Sequence, residues 1–243
     1  MGSFKYRIGI IFFVILATAL AAYFFSLEEA EESLEEINLT DKKLEILKEI
    51  VGGVLNIPFT PQAPYADWDN SIYQDGCEEA SSLMAVYWTL GKELNKEIAD
   101  REIRAISKYE TENFGGFVDT SAQDTAKRII QGYFGYSKAE VKENIVLKDI
   151  ISEIEKGHAV IVPVNGQLLG NPYFTQPGPE RHNLVIKGYD IETKEFITND
   201  PGTKRGESYR YDENILFNAI RDYPTGDHSP IKSIEKNMII VIR

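Results

Sequence analysis

The chain of 243 residues contains one cysteine, Cys77, whose surroundings suit a nucleophile. An Asp-Gly turn signal precedes it, and the apolar residues that follow have the i, i+3, i+4, i+7 spacing of one buried helix face: Ala80, Leu83, Met84, Tyr87 and Leu90. The spacing predicts that a helix begins at or just after Cys77. Unpaired backbone N–H groups and the positive end of the helix dipole stabilise an anion there, which can lower a thiol pKa from about 8.5. We therefore interpret Cys77 as a candidate nucleophile; the alternative is a small buried cysteine that opens a core helix.

A thiol nucleophile needs a base, and the sequence offers three histidines. His182 begins a predicted strand, and Asp200 follows the next one along the chain. If these strands are antiparallel neighbours, the imidazole and the carboxylate come together. Taken singly, His182 could equally be a structural histidine of the sheet, and Asp200 a turn-forming residue. We interpret His158 and His228 as structural, because one follows a helix stop and the other lies in a proline-flanked loop.

The composition excludes several classes of function. With 26 basic against 38 acidic residues, the formal net charge is −12, which argues against nucleic acid as a partner because phosphates are neutralised by Lys and Arg. One cysteine excludes an intramolecular disulfide framework, and the scattered histidines lack metal-ligand spacing. The chain also lacks a Gly-rich phosphate-binding loop. We therefore predict no metal and no cofactor.

Residues 1–26 predict a signal anchor that crosses the cell membrane once. Lys5 and Arg7 precede an uncharged run over residues 8–25, which at about 1.5 Å per residue nearly spans a hydrocarbon core of about 30 Å. The basic flank predicts a cytoplasmic N-terminus and an extracytoplasmic C-terminal domain. The alternative is a secreted protein, released by signal cleavage at Ala19-Leu20-Ala21.

Residues 27–54 are predicted to form an acidic helical stalk or linker, and residues 55–243 to form the candidate catalytic domain. Helical patterns dominate the first part of this domain and strand patterns the second. That order predicts an α+β fold in which an antiparallel sheet packs on the Cys77 helix. The predicted strands cover residues 159–164, 183–189, 195–198, 208–211 and 238–242, with a helix over residues 213–221.

Three motifs together resemble the cysteine peptidase family thirty-nine, in its thirty-nine-like branch, whose relatives include the bacteriocin-processing double-glycine peptidases. They are Gly76-Cys77-Glu78-Glu79-Ala80-Ser81, His182 and Asn199-Asp200-Pro201. The resemblance covers residues 57–243 and implies a papain-like fold that acts on a peptide or protein. It assigns Cys77 as nucleophile, His182 as base and Asp200 as the orienting carboxylate.

Such peptidases place a glutamine upstream of the nucleophile, where its amide and a backbone N–H bond the developing oxyanion. We expect Gln62 in this role; Gln74 is the alternative, although its side chain would have to fold back over the helix start. Glu78 and Glu79 place two carboxylates beside the thiol, and like charge raises a thiol pKa. We expect both side chains to point away and to bond backbone or Arg groups.

Three functions compete on this sequence. The preferred one is a membrane-anchored extracytoplasmic cysteine peptidase with a Cys-His-Asp triad. A peptidoglycan peptide hydrolase or transpeptidase is disfavoured by the acidic domain, and a non-catalytic peptide-binding module by the joint presence of the three triad residues. Since relatives of the family cut after paired glycines, Gly52-Gly53 is a conceivable site of self-release, although a helix stop is the simpler interpretation.

Overall fold

The computed structural model describes residues 53–227, 229–231 and 234–243. The predicted anchor, nearly all of the predicted stalk and His228 lie outside these residues. Within the described ranges, no helix combines the length and the apolar character that crossing a membrane requires.

Six strands form one antiparallel sheet. They are β1 (Ala139–Lys142), β2 (Ala159–Val164), β3 (His182–Asp190), β4 (Glu195–Asn199), β5 (Tyr209–Asp212) and β6 (Met238–Val241). Their order across the sheet is β1-β6-β2-β3-β4-β5. The centre of the sheet is covered on both faces, because alternate residues of β2 belong to two different apolar clusters, Val160 and Val162 to one and Ile161 to the other.

The helices surround this sheet. They are α1 (Ser71–Gln74), α2 (Cys77–Thr89), α3 (Lys96–Phe114), α4 (Ala122–Asp124), a π-helix (Thr125–Tyr133), α5 (Leu147–Glu155), α6 (Gly166–Leu169) and α7 (Glu213–Ala219). The longest of these helices, α3, has a recognisable sequence signal at each end. The Asn95 side chain accepts from the Ile98 N–H at its start, and Gly115 ends it in the left-handed conformation with φ 85°.

Helix α2 is buried on all sides. Its inner side packs on the sheet, where it shares an apolar cluster with β2, β3 and β6. Its outer side is covered by α3 and the π-helix, through Leu83, Ile103 and Ile129. Every residue from Cys77 to Trp88 is therefore buried, whereas the sequence predicted only one buried face.

The predicted α+β class and antiparallel sheet are confirmed, and the five predicted strands have nearly the predicted bounds. Strand β1 was not predicted, because four residues at a sheet edge with one buried position carry too little periodicity. Helix α7 ends earlier than predicted, because Ile220 is extended and forms a bridge with Val164.

The segment before α1 is tied to the end of β4. The side chain of Asn199 donates to the carbonyls of Ile57 (3.0 Å) and Pro58 (3.3 Å). The Gln62 N–H donates to the Pro201 carbonyl at 2.9 Å. These bonds give an extended, proline-rich segment a fixed course, and they place Gln62 beside the residues that follow β4.

The backbone that carries Asp200 leaves no room at Gly206. The Asp200 N–H donates to the Gly206 carbonyl at 3.0 Å, and a Cβ on Gly206 would lie 1.8 Å from the Asp200 carbonyl oxygen. We expect Gly206→Ala to lower the free energy of unfolding by about 2–3 kcal/mol, because the two stretches of backbone must separate. Chemical denaturation measures this change.

The matched control is Gly116→Ala, since nothing lies within 4 Å of a Cβ added there. We expect it to change the free energy of unfolding by less than about 0.5 kcal/mol. Equal effects of the two substitutions would contradict the close approach at Gly206.

Candidate active site

Cys77 is the first residue of α2, as predicted from the sequence. Gly76 precedes it, and a Cβ at that position would lie 2.8 Å from the Ile72 carbonyl oxygen. Glycine therefore lets the chain turn tightly from α1 into α2. The thiol is placed at a helix N-terminus, but Cys77 is 5% exposed and so is largely shielded from solvent.

A cleft of about 520 Å³ runs past the start of α2, and Cys77, His182 and Gln62 all line it. Its apolar lining includes three aromatic residues, Trp68, Tyr173 and Phe174. Among the described residues that line it there is no aspartate or glutamate, whereas Arg181 and Lys204 are present. In a chain of net charge −12, this cleft is locally neutral to positive.

His182 and Asp200 are brought together by the neighbouring strands β3 and β4. The ring Nε2 of His182 lies 2.8 Å from Oδ1 of Asp200, and both side chains are buried. Because Nε2 is engaged, Nδ1 is the ring nitrogen left for other partners. The edge of the ring also packs on Phe174, with the ring centroids 5.4 Å apart.

Asp200 is a buried carboxylate with several donors. Oδ1 also accepts from the Gly202 N–H at 2.9 Å, and Oδ2 accepts from the hydroxyl of Tyr211 at 2.6 Å and the amide of Asn171 at 3.4 Å. Burial alone would raise the pKa of Asp200, but the charge and hydrogen bond of His182, with the other donors, lower it below its ordinary value. The carboxylate is therefore ionised at neutral pH. The sequence did not predict Tyr211 and Asn171 at this site, because their spacing along the chain does not mark them.

Both candidate glutamines border the cleft. The Gln62 amide nitrogen donates to the carbonyls of Tyr73 (2.8 Å) and Gln74 (3.1 Å), immediately before the turn into α2. Its Oε1 is buried without a hydrogen-bond partner among the described residues. The Gln74 side chain is exposed, and its amide donates to the Trp68 carbonyl at 2.9 Å.

The side chain of Glu78 points at the thiol. Cys77 Sγ donates to Glu78 Oε2 at 2.9 Å, and the Tyr223 hydroxyl donates to Oε1 at 2.7 Å. The expectation that Glu78 points away is therefore wrong, because α2 is buried on all sides and offers this residue no path to solvent. Glu79 does turn away, but it accepts from the Ser107 hydroxyl at 2.9 Å rather than from an Arg.

The thiol is held in its protonated form. Burial, followed by the charge of Glu78 and its hydrogen bond, raises the pKa of Cys77 well above its ordinary value. In the part of the chain that the structure describes, Sγ makes no hydrogen bond with the His182 ring. His158 lies outside the cleft lining, and its Nδ1 lies 2.8 Å from Oε2 of Glu153.

Glu110 of α3 faces this region without a hydrogen-bond partner. Both of its carboxylate oxygens are buried and unbonded within the described residues. Burial, with a further contribution from the charge of Glu78, raises the pKa of Glu110 to about 8. The sequence does carry a signal for this burial, since Glu110 continues the helical spacing of Ile103 and Ile106, but the signal does not reveal the partner side chains.

The sequence matches the model of the family described as "Peptidase_C39 like family" over residues 54–223. No curated protein matches the chain. Among solved structures, a match is the crystal structure of a "putative C39-like peptidase" from Bacillus anthracis. It is 15% identical, with a TM-score of 0.48, and the match covers 78% of this chain and 97% of that chain.

The raised pKa of Glu110 predicts that stability falls as the pH rises from about 4.3 to about 8. The pKa of Glu110 is about 8 in the folded state and about 4.3 in the unfolded state. The stability that its neutral form provides is complete below about pH 4.3 and is lost as the pH rises through about 8. We expect Glu110→Gln to flatten the fall in Tm between about pH 5 and pH 9, because the amide cannot ionise. Thermal unfolding across this pH range measures the effect.

Glu112→Gln is the matched control on the same helix, because Glu112 is exposed and pairs with Lys108 at 2.8 Å. Its pH dependence should follow that of the wild type. Parallel curves for Glu110→Gln and the wild type would contradict the assignment.

Proposed function

Because the chain belongs to the Peptidase_C39-like family, we propose that it hydrolyses peptide bonds through a Cys77, His182 and Asp200 triad. The observation that carries this proposal is the His182–Asp200 pair, at 2.8 Å, whose imidazole lines the same cleft as Cys77. A cysteine peptidase acts on a peptide or protein, and the cleft of about 520 Å³ provides room for a short stretch of chain.

In the proposed reaction, His182 removes the thiol proton as the sulfur attacks the carbonyl carbon of the scissile bond. Nδ1 is suited to this step, since Nε2 is held by Asp200. The tetrahedral intermediate collapses to a thioester, and the imidazolium gives its proton to the leaving amine. Water activated by the same imidazole then hydrolyses the thioester and restores the thiol.

Asp200 has an orienting role in this scheme. Its carboxylate fixes the ring position and stabilises the imidazolium that forms during the attack. The donors from Tyr211 and Gly202 keep the carboxylate ionised and aligned although it is fully buried. A buried carboxylate with fewer donors would take up a proton and lose this function.

Gln62 is the preferred oxyanion donor, together with a backbone N–H at the start of α2. Gln62 is buried and lines the cleft, and its amide lies against the carbonyls that immediately precede the turn to Cys77. We propose that the oxyanion replaces the longer of its two bonds, the one to Gln74 at 3.1 Å. Gln74 is less suited, because its own amide is held by Trp68 on the exposed side.

The arrangement also supports the papain-like architecture that the sequence suggested. The helix that would carry the nucleophile packs on the sheet whose strands carry the base and its orienting carboxylate. We propose further that the domain acts outside the cytoplasm, held to the membrane by residues 1–26. The support for that step is the uncharged run over residues 8–25 behind a basic flank.

The proposed triad predicts which histidine the activity requires. The measurement is cleavage of a synthetic peptide pool, monitored by mass spectrometry. We expect Cys77→Ser to abolish this cleavage and His182→Ala to slow it by about 10³-fold. His158→Ala is the matched control, since its ring pairs with Glu153 outside the cleft lining, and it should retain activity. Equal losses in the two histidine variants would contradict the assignment.

The charge of the cleft predicts a preference for acidic over neutral peptides. Lys204 is exposed at the cleft and has no ion pair within the described residues. The assay compares pairs of peptides in which one residue is either Asp or Asn. We expect Lys204→Gln to reduce the preference for the Asp peptide by about two- to fivefold, because exposed ion pairs have interaction energies of this size. Lys148→Gln, an exposed substitution on α5 outside the cleft lining, should leave the preference unchanged. The same preference in both variants would contradict this role of Lys204.

A further inference from the structure

The hydrogen bond from Cys77 to Glu78 is unexpected in a site that must produce a thiolate. It is 2.9 Å long, and both side chains are buried. The proposed reaction requires the proton to move from Sγ to the imidazole of His182, but the structure directs the thiol to a carboxylate instead. This contact is not explained by the triad.

Glu78 is itself held in place by a chain of buried polar groups. The Asn183 amide donates to the Tyr223 hydroxyl at 2.7 Å, and that hydroxyl donates to Glu78 Oε1 at 2.7 Å. Asn183 is adjacent to His182 at the start of β3. The strand that carries the proposed base therefore also fixes, through Tyr223, the carboxylate that competes with it.

We propose that Glu78 is a positioning residue, which holds the Cys77 thiol in a protonated, latent state in competition with His182. This inference rests on the proposed function. In the latent state the proton stays on sulfur and is shared with Oε2. Activation breaks the S–H bond and forms an N–H bond on His182, which leaves a thiolate beside an imidazolium. The carboxylate opposes this step, because its negative charge destabilises the thiolate.

Most of the other charged groups near Glu78 are also acidic. Glu79 lies on the same helix, Glu110 faces it from α3, and Asp119 faces both Glu78 and Cys77 from the loop after α3. The nearby cation is Arg181, which lies 3.6 Å from a carboxylate oxygen of Asp119 and over the Tyr223 ring. Glu78 is the member of this set that accepts a hydrogen bond from the thiol, so its removal should have the largest effect on thiol ionisation.

The test is the pH dependence of Cys77 alkylation by iodoacetamide in the full-length protein. The chain has one cysteine, so the signal reports this thiol alone. We expect Glu78→Gln to shift the profile to lower pH and to raise the rate at pH 7 by about tenfold, as for a thiol pKa lowered by about one unit. Glu78→Met, which is similar in size and uncharged, provides an independent second variant. Thermal unfolding checks that each variant is folded.

Glu79→Gln is the matched control, since Glu79 is equally buried but bonds Ser107 rather than the thiol. Its rate at pH 7 should rise by less than about threefold. Profiles of Glu78→Gln and Glu78→Met that coincide with the wild type would overturn the proposal, as would an equal shift in Glu79→Gln. Alkylation needs no peptide substrate, so this result is independent of the peptide-cleavage test of the proposed function.

Discussion

Burial of helix α2 on all sides is the constraint on which the site depends. The sheet covers one side of the helix, and α3 with the π-helix covers the other. A helix N-terminus normally gives its first residues access to water, but here Cys77, Glu78 and Glu79 all enter the protein interior. The packing therefore determines the electrostatics, because each polar side chain in the first turn must find a partner inside the protein or give up its charge.

Three of the buried carboxylates near the site, Asp200, Glu110 and Glu78, meet this demand in different ways. Asp200 receives donors from His182, Gly202, Tyr211 and Asn171, and its pKa is lowered despite complete burial. Glu110 has no donor among the described residues, and its pKa rises to about 8. Glu78 lies between these extremes, since it accepts from Tyr223 and from the thiol itself, and its pKa is raised by burial. At Asp200 the charge of His182 and the hydrogen-bond donors outweigh burial, whereas Glu110 lacks such donors among the described residues.

The sequence predicted the elements that carry the site better than the contacts within it. The apolar spacing after Cys77 located the start of α2, and β-rich runs located β3 and β4, so that His182 and Asp200 could be paired from the order of the strands alone. The direction of Glu78 was predicted wrongly, because the hydroxyl that holds its side chain belongs to Tyr223. Tyr223 is distant from α2 in the sequence, and periodicity within α2 does not report it.

The end of β4 shows a second limit of the same kind. Asn199 and Asp200 are sequence neighbours with a turn-like composition, but they fix two distant parts of the chain: Asn199 holds the segment at Ile57, and Asp200 holds the imidazole. The role of Asn199 does not follow from spacing, since its partners at Ile57 and Pro58 are brought near only when the strands are assembled. Because one strand end holds both the His182 ring and the segment that carries Gln62, a disturbance there should move both sides of the cleft together.

A buried thiol beside a carboxylate cannot ionise without a compensating cation. In the proposed mechanism that cation is His182, whose ring Nε2 lies 2.8 Å from Oδ1 of Asp200. Proton transfer to His182 converts a neutral pair into an ion pair, whereas transfer to Glu78 would leave the thiolate facing a neutral acid without a positive partner. In the proposal, the balance between the two proton acceptors therefore depends on Asp200, which pairs with His182, and on Tyr223, which donates to Glu78. Since β3 presents both His182 and Asn183, a single strand aligns the two opposing hydrogen-bond chains.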